Sequence, residues 1–162
     1  MPSANVLTVT LPSEREVRLT REFDAPRDLV FEAFSKPEHI RHWWGQASSS
    51  TIVDKMDFRP GGAWRFVEHA PDGQEYGFRG EYRDIERPER IVWTFEWEGL
   101  PGHVSVQTMV FEDLGGRRTR IVGTTVFDST EDRDGMVQSG MEQGAAESYT
   151  RLDAYLQTLA GA

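Results

Sequence analysis

The sequence predicts an α+β fold: a curved antiparallel sheet of six to seven strands wrapped around a long C-terminal helix, with two short helices after the first strand. Three observations predict it. Between residues 48 and 127, apolar and polar residues alternate in short runs divided by Gly, Pro and Asp-Gly turns. The runs are joined by short connections, which implies antiparallel neighbours. Residues 131–159 then carry apolar side chains at helical spacing. A sheet with one apolar face buries that face most simply under such a helix.

Residues 1–14 read as a weakly ordered lead-in, and 15–160 as a single domain. Glu14 to Phe23 alternates, with Val17 and Leu19 on one face and Arg18 and Thr20 on the other, as in a half-buried strand. Pro26 is placed in the first turn of a short helix, where its missing N–H costs nothing, and Leu29, Val30, Ala33 and Phe34 form its apolar face. Pro37 starts a second short helix, PEHIRHWW, which Gly45 ends. Strands follow at roughly 50–58, 62–69, 74–86, 90–97, 103–112 and 118–127. Their turns hold Gly61-Gly62, Asp72-Gly73 and Gly115-Gly116, pairs that tolerate positive φ. Ser129 and Asp132 have capping-box spacing ahead of the last helix. On that helix Val137, Met141, Ala145, Ser148, Leu152, Leu156 and Leu159 fall on one stripe.

A chain of 162 residues is one domain's worth, long enough to bury a core and a pocket together. It has no Cys, which removes disulfides and thiolate chemistry and fits a reducing, cytoplasmic setting. No segment reads as a signal peptide or a membrane helix, so membrane insertion is not expected. A formal net charge of -9 argues against nucleic acid as a partner.

The candidate site is a ligand-binding wall. Trp64 and Phe66 share a strand face, as do Tyr76 and Phe78, and Trp93, Phe95 and Trp97. Trp43 and Trp44 close the short-helix end. Such rings give an apolar wall with polar handles. Opposite them, Gly140, Gly144 and Ser148 recur at i+4 spacing on the last helix. An interior helical Gly costs about 1 kcal/mol against Ala, so either a ligand's space or a close helix–sheet approach should offset it. Met136 and Met141 add adaptable apolar lining. The predicted ligand-binding set is therefore Trp43, Trp44, Trp64, Phe66, Phe78, Trp93, Phe95, Met136, Gly140, Met141, Gly144 and Ser148.

No catalytic residue stands out. Ser48-Ser49-Ser50 lacks a nucleophile-elbow context, and Gly61-Gly62 precedes a strand rather than a helix. His39 and His42 stand at i, i+3, but their spacing matches no zinc motif, and neither metal nor cofactor is expected. His103 opens a strand near the expected cavity mouth. Glu68, Glu75, Glu81, Glu96, Glu98 and Glu112 mostly alternate with aromatics and are expected to face solvent, paired across strands with Arg65, Arg79 and Arg83. Any one that faces inward becomes a candidate acid, base or clamp.

Five segments carry a family resemblance: REFDAPRDLVFEAFSKPEHIRHWWG (Arg21–Gly45), FRPGGAWRF (Phe58–Phe66), DGQEYGFRGEYRDIERPERIVWTFEW (Asp72–Trp97), GGRRTRI (Gly115–Ile121) and DGMVQSGMEQGAAESYTRLDAYL (Asp134–Leu156). They span nearly the whole chain after residue 15 and resemble the bacterial branch of the activator-of-heat-shock-protein-90-ATPase homologue family, within the START-like, helix-grip superfamily. The resemblance implies a helix-grip domain over 15–160 with an internal cavity. Relatives include lipid carriers, polyketide cyclases and co-chaperone domains. Met141 stands where some relatives have Trp, and nothing here corresponds to the eukaryotic co-chaperone's additional N-terminal domain. The expected function is binding of a small apolar, aromatic or lipid-like ligand between the last helix and the sheet. The alternatives are a cyclase- or hydratase-type enzyme using that cavity, or a co-chaperone-like domain with a chaperone partner. A two-fold homodimer is compatible with each.

Overall fold

The computed structural model describes residues 5–45 and 48–160. The strands are β1 (Thr8–Thr10), β2 (Glu16–Phe23), β3 (Ser50–Met56), β4 (Ala63–His69), β5 (Glu75–Glu86), β6 (Arg90–Trp97), β7 (Val104–Gly115) and β8 (Arg118–Val126). The helices are α1 (Arg27–Ser35), α2 (Pro37–Trp43), α3 (Thr130–Gln138) and α4 (Met141–Ala160). All strands join one sheet in the order β1-β2-β8-β7-β6-β5-β4-β3, and every pairing is antiparallel. Helices α1 and α2 carry the chain from the β2 side across to β3 at the far edge, and β3 to β8 then meander back. Register shifts at Val53/Lys55, Tyr82/Asp84 and Asp113/Gly115 bend the strands.

The sheet has eight strands rather than six or seven. The additional one is β1, which pairs Thr8, Val9 and Thr10 with Thr20, Leu19 and Arg18 inside the stretch read as a lead-in. Three residues of alternating Thr and Val are too short a run to separate from coil by pattern. Helix α1 begins at Arg27, with Pro26 as its N-cap residue in extended geometry (φ -69°, ψ 152°), one step earlier than a first-turn position.

The predicted helix over 131–159 is two helices. Ser129 caps α3 as its spacing predicts, its Oγ accepting the Asp132 N–H at 3.0 Å. Helix α3 stops at Gln138, the Ser139 hydroxyl donates back to the Met136 carbonyl at 2.6 Å, and Gly140 takes φ +88°. That left-handed geometry ends a helix and favours Gly. The apolar stripe continues across the break in sequence, which is why it reads as one helix.

The core lies between the sheet and α1, α2 and the second half of α4. Phe31 and Phe34 of α1 meet Phe111 of β7 at ring-centre distances of 5.1 and 5.2 Å. Leu152 and Leu156 of α4 are fully buried, and Tyr149 packs edge-on to Phe23 of β2 at 6.1 Å. Arg21 is also turned inward from β2, lying over the Phe23 ring at 4.6 Å and facing Asp153 of α4 at 3.8 Å. Burial pulls its guanidinium pKa down, and Asp153 pulls it the other way.

Candidate functional site

The inner faces of β4, β5 and β6 carry the aromatic wall. Strand parity puts Trp64 and Phe66 of β4 on one face, and the register sets Phe66 opposite Phe78 of β5 and Phe78 opposite Trp97 of β6. Trp44, just past α2, folds over this surface with its ring 5.3 Å from Phe66 and 5.2 Å from Phe78. Trp64 meets Phe66 at 4.7 Å and Phe95 at 6.0 Å, and Phe78 stacks on Phe95 at 5.4 Å. Thus five of the predicted wall residues form one continuous set of ring contacts. Trp64 and Phe66 are buried, whereas Trp44, Phe78 and Phe95 are half-buried. Trp93 shares this face, opposite Tyr82, and is also half-buried.

Other predicted residues stand elsewhere. Trp43 belongs to the core: it is 2 % exposed, contacts Phe34 at 4.7 Å and donates its indole N–H to the Ala33 carbonyl at 3.0 Å. Ser148 ties α4 to the end of α2, its hydroxyl donating to the Trp43 carbonyl at 3.0 Å and accepting the Gly45 N–H at 3.2 Å. Gly140 is exposed between α3 and α4, so it is not an interior glycine on a buried helix face. Met136 on α3, and Met141 and Gly144 on α4, are half-buried.

A polar end to the wall was not singled out by sequence. Glu68 was expected to face solvent with the other strand carboxylates. It follows Trp64 and Phe66 in parity, however, and is turned inward at 7 % exposure. The register places Thr51 of β3 on one side of it and Tyr76 of β5 on the other. A Cβ built on Gly45 would come within 3.0 Å of Thr51 Oγ1 and 3.1 Å of Glu68 Oε1, so both oxygens converge there. Gly45 itself sits at φ +106°, where a side chain would be strained. Thr51 donates to the Trp44 carbonyl. Ser49, two residues before Thr51, is 8 % exposed, and its hydroxyl has no partner among the described residues. The period-two spacing of Trp64, Phe66 and Glu68 was the signal that could have found this carboxylate.

The outer face behaves as charge alternation predicts. Arg65 grips Glu98 through two bonds of 2.7 and 2.8 Å, and Arg79 pairs with Glu96 at 3.1 Å. The hydrogen bonds from Arg65 hold the Glu98 carboxyl below its ordinary range, and those from Arg79 do the same for Glu96. A hollow of about 470 Å³ opens beside these pairs, lined also by Lys55, Trp64, Gly80 and Thr94. The β5–β6 ladder is interrupted beside it: Thr94 Oγ1 accepts the Glu81 N–H at 2.9 Å, and Trp64 donates its indole N–H to the Thr94 carbonyl at 3.2 Å. Its arginines are already paired with its carboxylates, so it offers little to a ligand.

The histidines are occupied as well. His39 Nδ1 bonds the Tyr155 hydroxyl, His42 stacks on the Tyr155 ring at 4.9 Å, and His103 meets Asp132 of α3 at 2.7 Å. Among the described residues no three His, Cys, Asp or Glu side chains converge on a metal position.

The family model described as Activator of Hsp90 ATPase homolog 1-like protein matches residues 24–157. The chain belongs to that family. Two solved structures superpose on it with TM-scores of 0.86: a protein from Arthrobacter aurescens at 26 % identity, covering 94 % of this chain and 92 % of that one, and a protein from Rhodobacter sphaeroides at 21 % identity, covering 94 % and 99 %. An AHSA1 protein from Silicibacter pomeroyi follows at a TM-score of 0.74 and 24 % identity, covering 88 % and 98 %. No curated protein matches the chain. These neighbours share the fold of this chain. No helix of the chain is long and apolar enough to cross a membrane among the described residues.

Proposed function

We propose that this AHSA1-like chain is a cytoplasmic small-molecule binding protein that takes an apolar, ring-bearing ligand against the inner face of β4–β6. The observation that carries the reading is the wall itself. Trp44, Phe78, Trp93 and Phe95 present half-buried rings on the sheet face turned toward the helices. Half-buried aromatics forgo part of the stabilisation that full burial brings, about 25 cal/mol for each Å² left wet. A ligand that covers them recovers that energy as affinity. On this reading the first half of α4, where Met141 and Gly144 are half-buried, lines the opposite side with small and flexible residues.

The test has two arms. Native mass spectrometry of protein purified from its own cells should show a retained small molecule. The apo protein should bind the neutral probe N-phenyl-1-naphthylamine saturably at one site, with quenching of Trp fluorescence, and Trp44→Ala should weaken binding at least tenfold. A chain that retains nothing and binds no probe acts through its surface instead. The co-chaperone alternative, which the family's name supports, then predicts stimulation of an Hsp90-type ATPase.

A further inference from the structure

We propose that the wall recognises a ligand with a cationic amine head, and that Glu68 is the residue that receives it. This rests on the binding reading above and specifies its ligand. Glu68 is 7 % exposed, and among the described residues no hydrogen bond or ion pair reaches its carboxylate. A buried ionised group without a partner is costly, and proteins retain one where it meets a counter-charge. Nearby Arg151 is directed elsewhere, donating to the carbonyls of His42 and Gly45 at 3.2 and 3.4 Å. The outer-face arginines Arg65 and Arg79 are on the opposite side of the sheet, held by Glu98 and Glu96.

The surroundings select the sign and chemistry of a ligand head that Glu68 would receive. A carboxylate only accepts hydrogen bonds when ionised, so the head must donate. An anionic head would be repelled; an ammonium gains a charge-assisted bond, shorter and stronger than a neutral one. Rings flank the same position. Tyr76 stands directly across the β4–β5 ladder from Glu68, and Phe66 is two residues along β4, in contact with Trp44. Aromatic faces attract cations, so the rings and the carboxylate act in the same direction. Ser49, whose buried hydroxyl has no partner among the described residues, stands just before β3, two residues from Thr51, the cross-strand neighbour of Glu68, and offers a further acceptor. The ring body of the ligand then lies along Trp44, Phe78 and Phe95.

The test is calorimetric titration with three probes of one shape: 2-(aminomethyl)naphthalene, 2-naphthalenemethanol and 2-naphthoic acid. On the wild-type chain the amine should bind at least tenfold tighter than the alcohol, and the acid weakest. Glu68→Gln, which keeps the volume and removes the charge, should bring the amine to the alcohol's affinity and leave the alcohol within twofold. Its thermal midpoint should be at or above wild type, because an unpartnered charge has been removed. Equal affinity for amine and alcohol on the wild type, or a preference that survives in Glu68→Gln, overturns the inference and leaves the apolar site standing. Binding of none of the three probes overturns both. Should Glu68→Gln fail to fold, the amine-to-alcohol ratio on the wild-type chain decides alone.

Discussion

Ser148 separates structure from ligand binding most sharply, because sequence placed it in the ligand wall and the structure gives its hydroxyl two backbone partners. Ser148→Ala removes the donor to the Trp43 carbonyl and the acceptor for the Gly45 N–H. Both groups lie at the C-terminal end of α2, where backbone polar groups lack partners within the helix. A buried polar group stripped of its partner costs about 1–3 kcal/mol. The Trp43 carbonyl should be near the middle of that range and the half-buried Gly45 N–H near the bottom. Ala is the better helix former by about 0.5 kcal/mol, which offsets part of the loss. The net expectation is a destabilisation of about 2 kcal/mol, a large share of the roughly 5–15 kcal/mol typical of a domain. With a urea slope of about 2 kcal/mol/M, the midpoint should fall by about 1 M. Ser148→Thr keeps a hydroxyl and should recover part of it. Urea denaturation read by Trp fluorescence, paired with the N-phenyl-1-naphthylamine titration at low urea, gives both answers. A midpoint within 0.2 M of wild type together with lost probe affinity would refute the reasoning and return Ser148 to the ligand.

Gly80→Ala should cost about 2–4 kcal/mol by denaturation, since its Cβ would sit 2.0 Å from the Thr94 carbonyl oxygen and 2.7 Å from Trp64 Nε1, adding overpacking to a broken buried hydrogen bond. Gly144→Leu should abolish probe binding with a denaturation midpoint near wild type. A loss of roughly 1–3 kcal/mol without wild-type probe binding would instead mean a close helix–sheet contact there. The Glu98 carboxyl has a folded pKa depressed below its ordinary 4.5 by hydrogen bonds from Arg65. Its contribution is therefore present above about pH 4.5 and lost as pH falls through the lower folded value. Glu98→Gln should flatten the acid limb of the stability–pH curve and leave its shape above pH 6 unchanged.

The meander was legible because alternation and turn residues agree along β3 to β8, and local agreement of that kind marks a strongly specified sheet. Alternation also gave the outer ion pairs of Arg65 and Arg79, and the parity of Trp64 with Phe66. It did not give Glu68, because a carboxylate beside Phe66 and Val67 was assigned to solvent by residue type, against its own parity. The break at Ser139-Gly140 is hidden for the opposite reason: the apolar periodicity runs through it, although a Gly in left-handed geometry commonly ends a helix. Trp43 and Trp44 could not be told apart at all. Adjacent residues at a helix end point in different directions, and only the path of the chain after α2 sends one ring into the core and the other onto the sheet.

The division of α4 would let one helix anchor the fold and also line the proposed site. From Ser148 onward it is tied down on several sides: Tyr149 against Phe23, Leu152 and Leu156 in the core, Asp153 facing Arg21, and Gln157 donating to the Asp24 carbonyl at 3.1 Å. Before Ser148, from Met141 to Glu147, none of its residues is buried. The anchored half therefore sets the position of the helix, and the less buried half is held in place by it. Binding residues work best on such elements, because their geometry is fixed by packing elsewhere. The same logic holds on the sheet. Ile91 of β6 is buried in the core while Trp93 and Phe95, on the same face of the same strand, are only half-covered. Trp64 and Phe66 are buried in the core, so changes there should cost stability, whereas changes at the half-buried rings of Trp44, Phe78, Trp93 and Phe95 should alter affinity more than they alter the fold.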